Sequence, residues 1–198
     1  HKVTFLFWVP TIMVNIANMD LLSSIQLPAL KTVWFAGEVF PTKQFNYWRK
    51  MLPQTTFANL YGPIEITLDC TCFIVNREIK DEESIPIGFP CRNTDILILD
   101  ADNKLVAEAG KEGELCVRGT SLAMGYYNNP EKTASAFVQN PLNHAYPETI
   151  YRTGDVVVIN ERGEIVFKGR KDTLIKHMGY RTELGEIEHI IINKLKLV

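Results

Sequence analysis

The sequence has few cysteines and no cluster of residues that would hold a metal. Its 198 residues include four cysteines, at positions 70, 72, 91 and 116. None of them forms a C-x-x-C pair and no group of histidines accompanies them, so neither a zinc site nor a disulfide framework is expected. Buried, reduced thiols suit a reducing compartment, and we therefore expect a cytoplasmic protein.

The sequence also lacks a strong net charge and a long apolar run. Its formal net charge is -2 and its basic residues are scattered, which gives no electrostatic footprint for nucleic acid. The apolar stretch at residues 3–16 is interrupted by Pro10, and it is shorter than the about 20 residues that a membrane-spanning helix needs. We therefore expect neither a nucleic-acid partner nor a membrane span.

Residues 1–78 are expected to form part of an α/β unit with a parallel sheet. Bulky apolar runs predict strands, and the first of them is expected to be buried. A helix is predicted to begin at Thr42 as its N-cap and to stop before Pro53. The predicted strands are 3–9, 30–36, 56–60 and 66–75, and the predicted helices are 11–18 and 42–52. Strand–helix–strand order at this spacing is typical of a parallel sheet.

Residues 79–171 are expected to form a small β-rich unit, a distorted barrel with one helix at 130–137. Short strands alternate with polar turns there, at 95–99, 113–118, 156–159 and 164–168. Residues 172–198 begin a new piece, with a short basic strand, a turn at Gly179 and a helical pattern. Because both ends of the sequence lie inside such patterns, we expect a piece of a longer protein.

The stretch NLYGPIE, residues 59–65, predicts a strand that ends in a ligand-binding turn. Gly62 allows the backbone to approach a ligand closely, and Pro63 stiffens the turn. Tyr61 offers a flat ring for stacking on a base, and Glu65 offers a carboxylate oxygen for Mg²⁺. Taken alone, such a stretch is more often a plain Gly-Pro turn with an exposed glutamate.

Two later stretches place charged residues beside glycines. YRTGD, residues 151–155, puts Asp155 after a glycine turn, where a carboxylate accepts hydrogen bonds from both hydroxyls of a ribose. GRKD, residues 169–172, puts Arg170 where a guanidinium meets ribose or phosphate oxygens, and Asp172 at a joint between two bodies. Taken alone, an ordinary turn and a surface salt bridge explain these stretches as well.

Each motif is weak alone, but their joint occurrence in this order is specific. NLYGPIE, then GELCVRGTSLAMGYY, then YRTGD, then GRKDTLIKHMGYRTELGEIE resembles the adenylate-forming superfamily along nearly the whole chain. That superfamily holds acyl-CoA synthetases, peptide-synthetase adenylation domains and firefly luciferase. FWVPT and FAGEVFP are most similar to its amino-acid-activating branch, especially D-alanine–carrier protein ligases. GELCVRG itself is interpreted as a structural strand bracketed by glycines.

The resemblance implies two half-reactions that use ATP and Mg²⁺. A small carboxylic or amino acid attacks the α-phosphate of ATP to give an acyl-adenylate and pyrophosphate. The acyl group then moves to the phosphopantetheine thiol of a carrier protein or of CoA. The implied fold is the C-terminal part of the large N-terminal domain of such an enzyme, followed by the start of its C-terminal lid.

The resemblance also implies roles for individual residues around the nucleotide. Tyr61 would stack on adenine, and Glu65 would ligate Mg²⁺. Asp155 would bind the ribose hydroxyls with Arg170 beside it. Further residues would line the same nucleotide pocket, namely Gly37, Glu38 and Gly62.

For the acid and for the lid, the resemblance implies three further features. The acyl pocket would draw on Trp34, Ala36, Leu60 and Leu68. Asp172 would be the hinge that rotates the lid between the half-reactions. Gly179 would lie in the loop that admits the pantetheine arm, where a side chain would obstruct the thiol channel.

The sequence departs from the family in one motif residue and lacks two motifs. Ile64 stands where the family's Y-G-P-T-E motif has a threonine that contacts phosphate or adenylate oxygens. Neither the glycine-rich phosphate loop nor the lid lysine is present, so we expect this piece by itself to be inactive. Two alternatives stay open: an acyl-CoA synthetase for a fatty or aryl acid, and a non-catalytic relative that binds nucleotide or a carrier protein.

Overall fold

The first part of the molecule is built on one five-stranded sheet. Its strands are β1 (Phe5–Trp8), β2 (Thr32–Ala36), β3 (Thr56–Tyr61), β4 (Thr71–Ile74) and β5 (Phe89–Pro90). In this computed structural model, which describes residues 2–172, 174–177, 180–183, 187 and 191, the strands lie in chain order. The first three are parallel, as predicted, and the last two join them in antiparallel orientation.

Two helices bury one face of this sheet. Helix α1 spans Pro10–Asn18 and helix α2 spans Thr42–Met51. Val33 and Phe35 of β2 are fully buried, whereas Trp34 between them is 39% exposed. This alternation arises because successive side chains of a strand point to opposite faces of the sheet.

Aromatic side chains form the centre of the core between the helices and the sheet. The ring of Phe45 on α2 lies 5.4 Å from that of Phe35, 5.6 Å from that of Phe40 and 5.5 Å from that of Phe57, measured between centroids. These offset and edge-on contacts are the geometries that aromatic pairs prefer. Trp48 completes the core, and its indole N–H donates to the Met13 carbonyl of α1 at 2.9 Å.

Two local predictions in this part are wrong. β1 is not a buried strand in the described structure, because it lies at the edge of the sheet and exposes 47% of Phe5 and 39% of Phe7. Thr42 does not cap α2; Pro41 occupies the cap position and no side chain caps the helix. The Thr42 hydroxyl donates instead to the carbonyl of Glu83 at 2.5 Å, which ties the start of α2 to a later loop.

The predicted strand at 66–75 is only half correct, because β4 begins at Thr71. Before it, the chain makes a single helical turn, Ile64–Ile66, and then passes through Thr67 and Leu68 with φ of 60° and 96°. This loop folds back over Gly62, where a Cβ atom would lie 2.0 Å from the Leu68 carbonyl oxygen. Only glycine fits there, so packing of backbone against backbone already requires Gly62, whatever it does for a ligand.

The second part of the molecule is an antiparallel, curled five-stranded sheet. Its main path is β10–β9–β7–β6, with β8 paired to β9. The strands are β6 (Thr94–Leu99), β7 (Glu112–Gly119), β8 (Phe137–Gln139), β9 (Thr149–Ile159) and β10 (Ile165–Arg170), and helix α3 is Pro130–Ala136. The predicted fold class, α/β with a barrel-like β unit, is confirmed, and that unit is a half-barrel.

Backbone hydrogen bonds join the two sheets directly. Ile87 N–H donates to the Ile165 carbonyl at 2.8 Å, and Ile165 N–H donates to the Gly88 carbonyl at 2.9 Å. Apolar side chains from both sides, among them Tyr61 and Tyr151, form the core at this junction. The two sheets therefore hold each other in register where the first sheet ends.

A two-stranded hairpin follows Asp172. Its strands are β11 (Leu174–His177) and β12 (Tyr180–Glu183). The predicted strand is confirmed, but the chain next forms a second strand where it was predicted to enter a helix. Gly179 and nearly all of the predicted final helix lie outside the described residues. Within the described part of the chain, no helix combines the length and the apolar character that a membrane crossing requires.

Candidate active site

A cavity of about 930 Å³ opens at the carboxyl ends of the parallel strands, where the second sheet approaches them. This end of a parallel sheet is where open α/β folds usually bind ligands. Eight of the residues predicted for the site line it: Gly37, Glu38, Leu60, Tyr61, Gly62, Asp155, Arg170 and Asp172. Residues from motifs more than one hundred positions apart in the sequence thus meet at one cavity.

A wide bulge in β9 presents Asp155 to this cavity. Glu114 of β7 pairs with Val156 and Cys116 pairs with Arg152, so residues 153–155 face a single β7 residue. We call residues 153–155 the Asp155 bulge. Within it, Gly154 has a φ of 73°, which side chains other than glycine rarely adopt. Asp155 pairs with Arg170 of β10 on the other side of β9, and it lines the cavity.

The Asp155 carboxylate is buried and held from two sides. Only 3% of the residue is exposed. Its Oδ2 accepts a short hydrogen bond from the Tyr61 hydroxyl, and its Oδ1 accepts one from Arg170 Nη1. Burial and the nearby Asp155 charge raise the pKa of Tyr61 well above its ordinary value. Tyr61 therefore stays protonated and acts as a donor, and its ring is 7% exposed.

Arg170 links Asp155 to the predicted hinge residue. Its Nε and Nη2 donate to the two carboxylate oxygens of Asp172, each at 2.6 Å. The bonds to Asp172 and the charges of both carboxylates raise the Arg170 pKa, although burial opposes them. The guanidinium is thus a permanent cation shared by the buried carboxylate of Asp155 and the half-exposed carboxylate of Asp172. Its bidentate contact with Asp172 is a geometry that lysine cannot provide.

Gly37 and Glu38 follow β2 at the opposite wall of the cavity. Gly37 has a φ of 94°, a conformation that residues other than glycine rarely adopt. Glu38 Oε2 accepts hydrogen bonds from the Thr11 amide at 2.9 Å and from the Thr11 hydroxyl at 2.6 Å. The carboxylate therefore stabilises the amino end of α1, where the helix dipole favours an anion, in addition to lining the cavity.

Glu65 is buried behind the turn and is not among the residues that line this cavity. It is 4% exposed, and its Oε1 accepts a hydrogen bond from the Tyr126 hydroxyl at 2.7 Å. Its carbonyl oxygen also accepts from the Ala123 amide at 2.8 Å. The Tyr126 hydroxyl thus orients the carboxylate, and the Ala123 amide holds the backbone of the same residue.

Three of the four residues predicted for an acyl pocket do not line the cavity. Trp34 and Ala36 lie on the face of the sheet away from the helices, where the Trp34 ring contacts Phe5 at a centroid separation of 5.1 Å. Leu68 lies in the loop that folds over Gly62 and is 62% exposed. Only Leu60, paired with Ala36 across the sheet, reaches the cavity.

The structure adds a buried carboxylate that was interpreted only as part of a structural strand. Glu114 is 5% exposed, and its Oε2 accepts from Arg152 Nη2 at 2.6 Å and from Lys171 Nζ at 3.2 Å. Its Oε1 accepts from the Gly154 amide at 3.1 Å. Burial would raise the Glu114 pKa, but hydrogen bonding and charge from Arg152 and Lys171 outweigh burial and lower it. The one signal in the sequence was an acidic residue between Gly113 and Leu115, inside a predicted strand.

Known proteins resemble this chain in sequence. The AMP-binding enzyme family matches residues 1–127. Tyrocidine synthase 3 of Brevibacillus parabrevis is 39% identical over 93% of this chain, which spans 3% of that protein. The L-proline–[L-prolyl-carrier protein] ligase of Streptomyces coelicolor is 36% identical over 95% of this chain, which spans 34% of that ligase. The chain thus covers about a third or less of these relatives.

Solved structures resemble it in fold. One is holo-PA1221, a protein containing adenylation and carrier (PCP) domains, with a TM-score of 0.89 and 28% identity over 96% of this chain and 32% of that one. Another is the adenylation domain AlmE of Vibrio cholerae in complex with glycyl-adenosine-5'-phosphate, with a TM-score of 0.86 and 31% identity over 97% of this chain and 36% of that one. The predicted membership of the adenylate-forming superfamily is confirmed, and the chain belongs to the family of AMP-binding enzymes.

Proposed function

We propose that the protein activates an amino acid with ATP and transfers it to the phosphopantetheine thiol of a carrier protein. The observation that carries this proposal is the buried Asp155 carboxylate at the cavity, held by Tyr61 and Arg170. A carboxylate fixed in this way is pre-oriented to accept the two hydroxyls of a ribose. The proposal covers the whole protein, of which these residues form one wall of the site.

In the first half-reaction, a carboxylate oxygen of the amino acid bonds to the α-phosphorus of ATP. The bond from that phosphorus to the bridging oxygen breaks, and pyrophosphate leaves. Asp155 would hold the ribose, and the Tyr61 side chain beside it would contact the adenine. Because Arg170 is cationic and already lies at the Asp155 carboxylate, it would also attract the ribose and phosphate oxygens.

In this proposal, Glu65 would hold a magnesium ion that accompanies ATP, which requires its carboxylate to reach the cavity that it does not line in this structure. Its carboxylate is buried and anchored by Tyr126, and hard carboxylate oxygens are the ligands that Mg²⁺ takes from proteins, commonly one or two together with substrate phosphates. A bound Mg²⁺ would supply positive charge that neutralises the phosphates. Tyr126 would keep the carboxylate oriented toward it.

In the second half-reaction, the thiol sulfur bonds to the acyl carbon and the bond from that carbon to the AMP oxygen breaks. AMP leaves with the bonding electrons, and the thiol proton passes to solvent. Asp172, between β10 and the β11–β12 hairpin, would be the pivot about which the lid turns. In this proposal, residues 1–78, 79–171 and 172–198 are the α/β portion, the barrel-like unit and the beginning of the lid. Gly179 would border the thiol channel. Leu60 would contact the acyl group from within the cavity, whereas Trp34, Ala36 and Leu68 would contribute to the acyl pocket from outside the lining of that cavity.

Four observations support an amino acid, a carrier protein and a cytoplasmic location. One relative is named as an L-prolyl-carrier protein ligase, and one structural neighbour holds glycyl-adenosine-5'-phosphate. Another neighbour contains adenylation and carrier domains in one chain. All four cysteines of this chain are free thiols, which fits a reducing compartment.

The test is ATP–pyrophosphate exchange by the full-length protein with a panel of D- and L-amino acids, short fatty acids and aryl acids. Exchange with one small amino acid, followed by loading of a carrier protein, is the expected result. Exchange only with a fatty or aryl acid would replace the proposal with an acyl-CoA synthetase. A folded protein that binds ATP and exchanges with no acid would indicate a non-catalytic relative, and Ile64→Thr would then be the first variant to assay.

A further inference from the structure

Glu114, Gly154 and Lys171 form a closed ring of hydrogen bonds behind the cavity. Glu114 Oε1 accepts from the Gly154 amide at 3.1 Å, and Glu114 Oε2 accepts from Lys171 Nζ at 3.2 Å. The Gly154 carbonyl accepts from the Lys171 amide at 2.8 Å, which completes the ring. Gly154 directly precedes Asp155, and Lys171 directly precedes Asp172. The ring therefore contacts both the Asp155 bulge and the predicted hinge.

The Glu114 side chain holds both segments from one fixed place. It lies within β7, whose pairing with β9 and β6 makes it an interior strand of the half-barrel. Its residue is 5% exposed, whereas the Lys171 side chain is 46% exposed. The buried carboxylate is therefore the rigid member of the ring, and the lysine is the member that can leave it.

Glu114 also explains how the Asp155 bulge keeps its shape. Extra residues in a bulge lose their ladder hydrogen bonds, so the amide of Gly154 needs another acceptor. Glu114 Oε1 supplies it. The Thr153 hydroxyl supports the same bulge, since it donates to the Leu115 carbonyl at 2.7 Å and accepts from the Asp155 amide at 3.0 Å.

We propose that Glu114 is a positioning residue that fixes the Asp155 bulge and the Lys171–Asp172 hinge relative to each other. It touches no substrate and acts on ribose binding through Gly154 and on lid rotation through Lys171. This assignment rests on the proposed function for its catalytic consequences. Its structural content, the coupling of two segments through one carboxylate, is independent of the reaction.

The ring has two arms: the hinge arm joins Glu114 to Lys171, and the bulge arm joins Glu114 to the Gly154 amide. Four variants of the full-length protein separate them. Lys171→Met removes only the hinge arm, and Lys171→Arg restores a donor to the carboxylate. Glu114→Gln keeps an oxygen for the Gly154 amide but loses the charge that attracts Lys171, whereas Glu114→Ala removes both arms. Arg152→Met is the matched control, because Arg152 bonds to the same carboxylate but its other donor reaches Asn103 and not the hinge.

The expected kinetic result is a split between the half-reactions. Lys171→Met and Glu114→Gln should lower the rate of thioester formation about fivefold while the KM for ATP in pyrophosphate exchange stays within about twofold of wild type. Glu114→Ala should also raise that KM about fivefold. Lys171→Arg should recover thioester formation, and Arg152→Met should leave the ratio of the two half-reactions unchanged. Equal losses in both half-reactions for Lys171→Met would overturn the hinge arm.

Amide hydrogen exchange provides the readout that does not depend on activity. The Gly154 amide should exchange about tenfold or more faster in Glu114→Ala and at the wild-type rate in Lys171→Met. Unchanged exchange in Glu114→Ala would overturn the bulge arm. If wild type forms no adenylate, the proposed function fails, but the structural coupling can still be tested. The Lys171 backbone amide should then exchange faster in Glu114→Gln than in Arg152→Met, and equal rates would overturn the coupling.

Discussion

The two sheets of this protein bury different kinds of side chain. The core between the parallel strands and their helices is apolar, with the ring of Phe45 at its centre. Four carboxylates of the described residues are 3–5% exposed. Three of them lie in or beside the antiparallel sheet, and each is paired with an arginine: Glu114 with Arg152, Asp155 with Arg170, and Glu164 with Arg77. The fourth, Glu65, follows the first sheet and accepts a hydrogen bond from Tyr126.

This difference separates what holds the fold from what shapes the site. Apolar contacts are non-directional and their contribution grows with the area buried. The stability of the first sheet therefore depends on how well the side chains of its core fill the available volume. Paired buried charges contribute little net stability but fix geometry, and removal of one partner leaves the other uncompensated. Volume changes should therefore disturb the first sheet most, and charge changes should disturb the second sheet and the cavity.

The largest expected effect is the loss of a core ring in the first sheet. Phe45→Ala removes a fully buried side chain that contacts three other phenylalanines. We expect the free energy of unfolding to fall by about 3–5 kcal/mol, measured by urea denaturation of the full-length protein. Phe89→Ala is the control, since Phe89 is 49% exposed, and comparable losses for both variants would contradict a core centred on Phe45.

Next in size is the loss of the charge that faces the cavity. Asp155→Asn keeps the side-chain shape, and Arg170 keeps Asp172 as a partner, so the fold should persist. ATP binding should weaken by about tenfold or more, because a neutral amide accepts the ribose hydroxyls less strongly. Calorimetric titration with ATP measures this change.

The control for that variant is Asp95→Asn in the same sheet. Asp95 has an exposed side chain and pairs with Arg118, away from the cavity. ATP affinity should not change in this variant. If Asp155→Asn also binds ATP as wild type does, Asp155 has no role in holding the ribose.

Much of the cavity was predictable because Tyr61 and Arg170 end strands and Asp155 lies within a strand opposite Arg170. Tyr61 closes β3, and Asp155 and Arg170 lie on neighbouring strands β9 and β10, so the motifs carry their residues to one edge. The acyl pocket was not predictable in the same way. Whether Trp34 or Leu60 reaches the cavity depends on how the second sheet docks, and no local pattern encodes that.

The role of Glu114 was hidden for a related reason. Its partners Arg152 and Lys171 are 38 and 57 residues away in the sequence, so the strand that contains it reads as ordinary structure. Gly62 illustrates the same limit, because the chain that crowds it belongs to a loop predicted as a straight strand. Contacts made by a returning chain are visible only once the fold is known.

The third prediction uses pH to test the charged half of the comparison. Burial would raise the pKa of Glu164, but hydrogen bonds from Arg77 and Asn160 outweigh it and lower the pKa below its ordinary value of 4.5. A carboxyl with a lowered pKa in the folded state stabilises the fold above pH 4.5, and this stabilisation is lost as the pH falls through the folded-state pKa.

Glu164→Gln should therefore lower the free energy of unfolding by about 1–3 kcal/mol at neutral pH. The difference from wild type should shrink as the pH falls below 4.5 and through the lowered folded-state pKa, where the wild-type carboxyl becomes protonated. Urea denaturation at a series of pH values measures it. Glu161→Gln, in the exposed turn nearby, is the control, and a difference that does not depend on pH would contradict a stabilising ion pair at Glu164.

The smallest effect on stability is expected at the proposed hinge, where function and not folding should change. Asp172→Pro fixes one backbone dihedral and restricts Lys171 to extended conformations, which should slow lid rotation. Thioester formation should fall about tenfold more than pyrophosphate exchange.

Asp172→Ala removes the same contacts to Arg170 without stiffening the backbone, so it controls for the lost ion pair. Its thioester rate should stay much closer to wild type, because only the proline limits rotation. Equal effects of the two substitutions, or equal loss of both half-reactions in Asp172→Pro, would show that the chain does not pivot at Asp172.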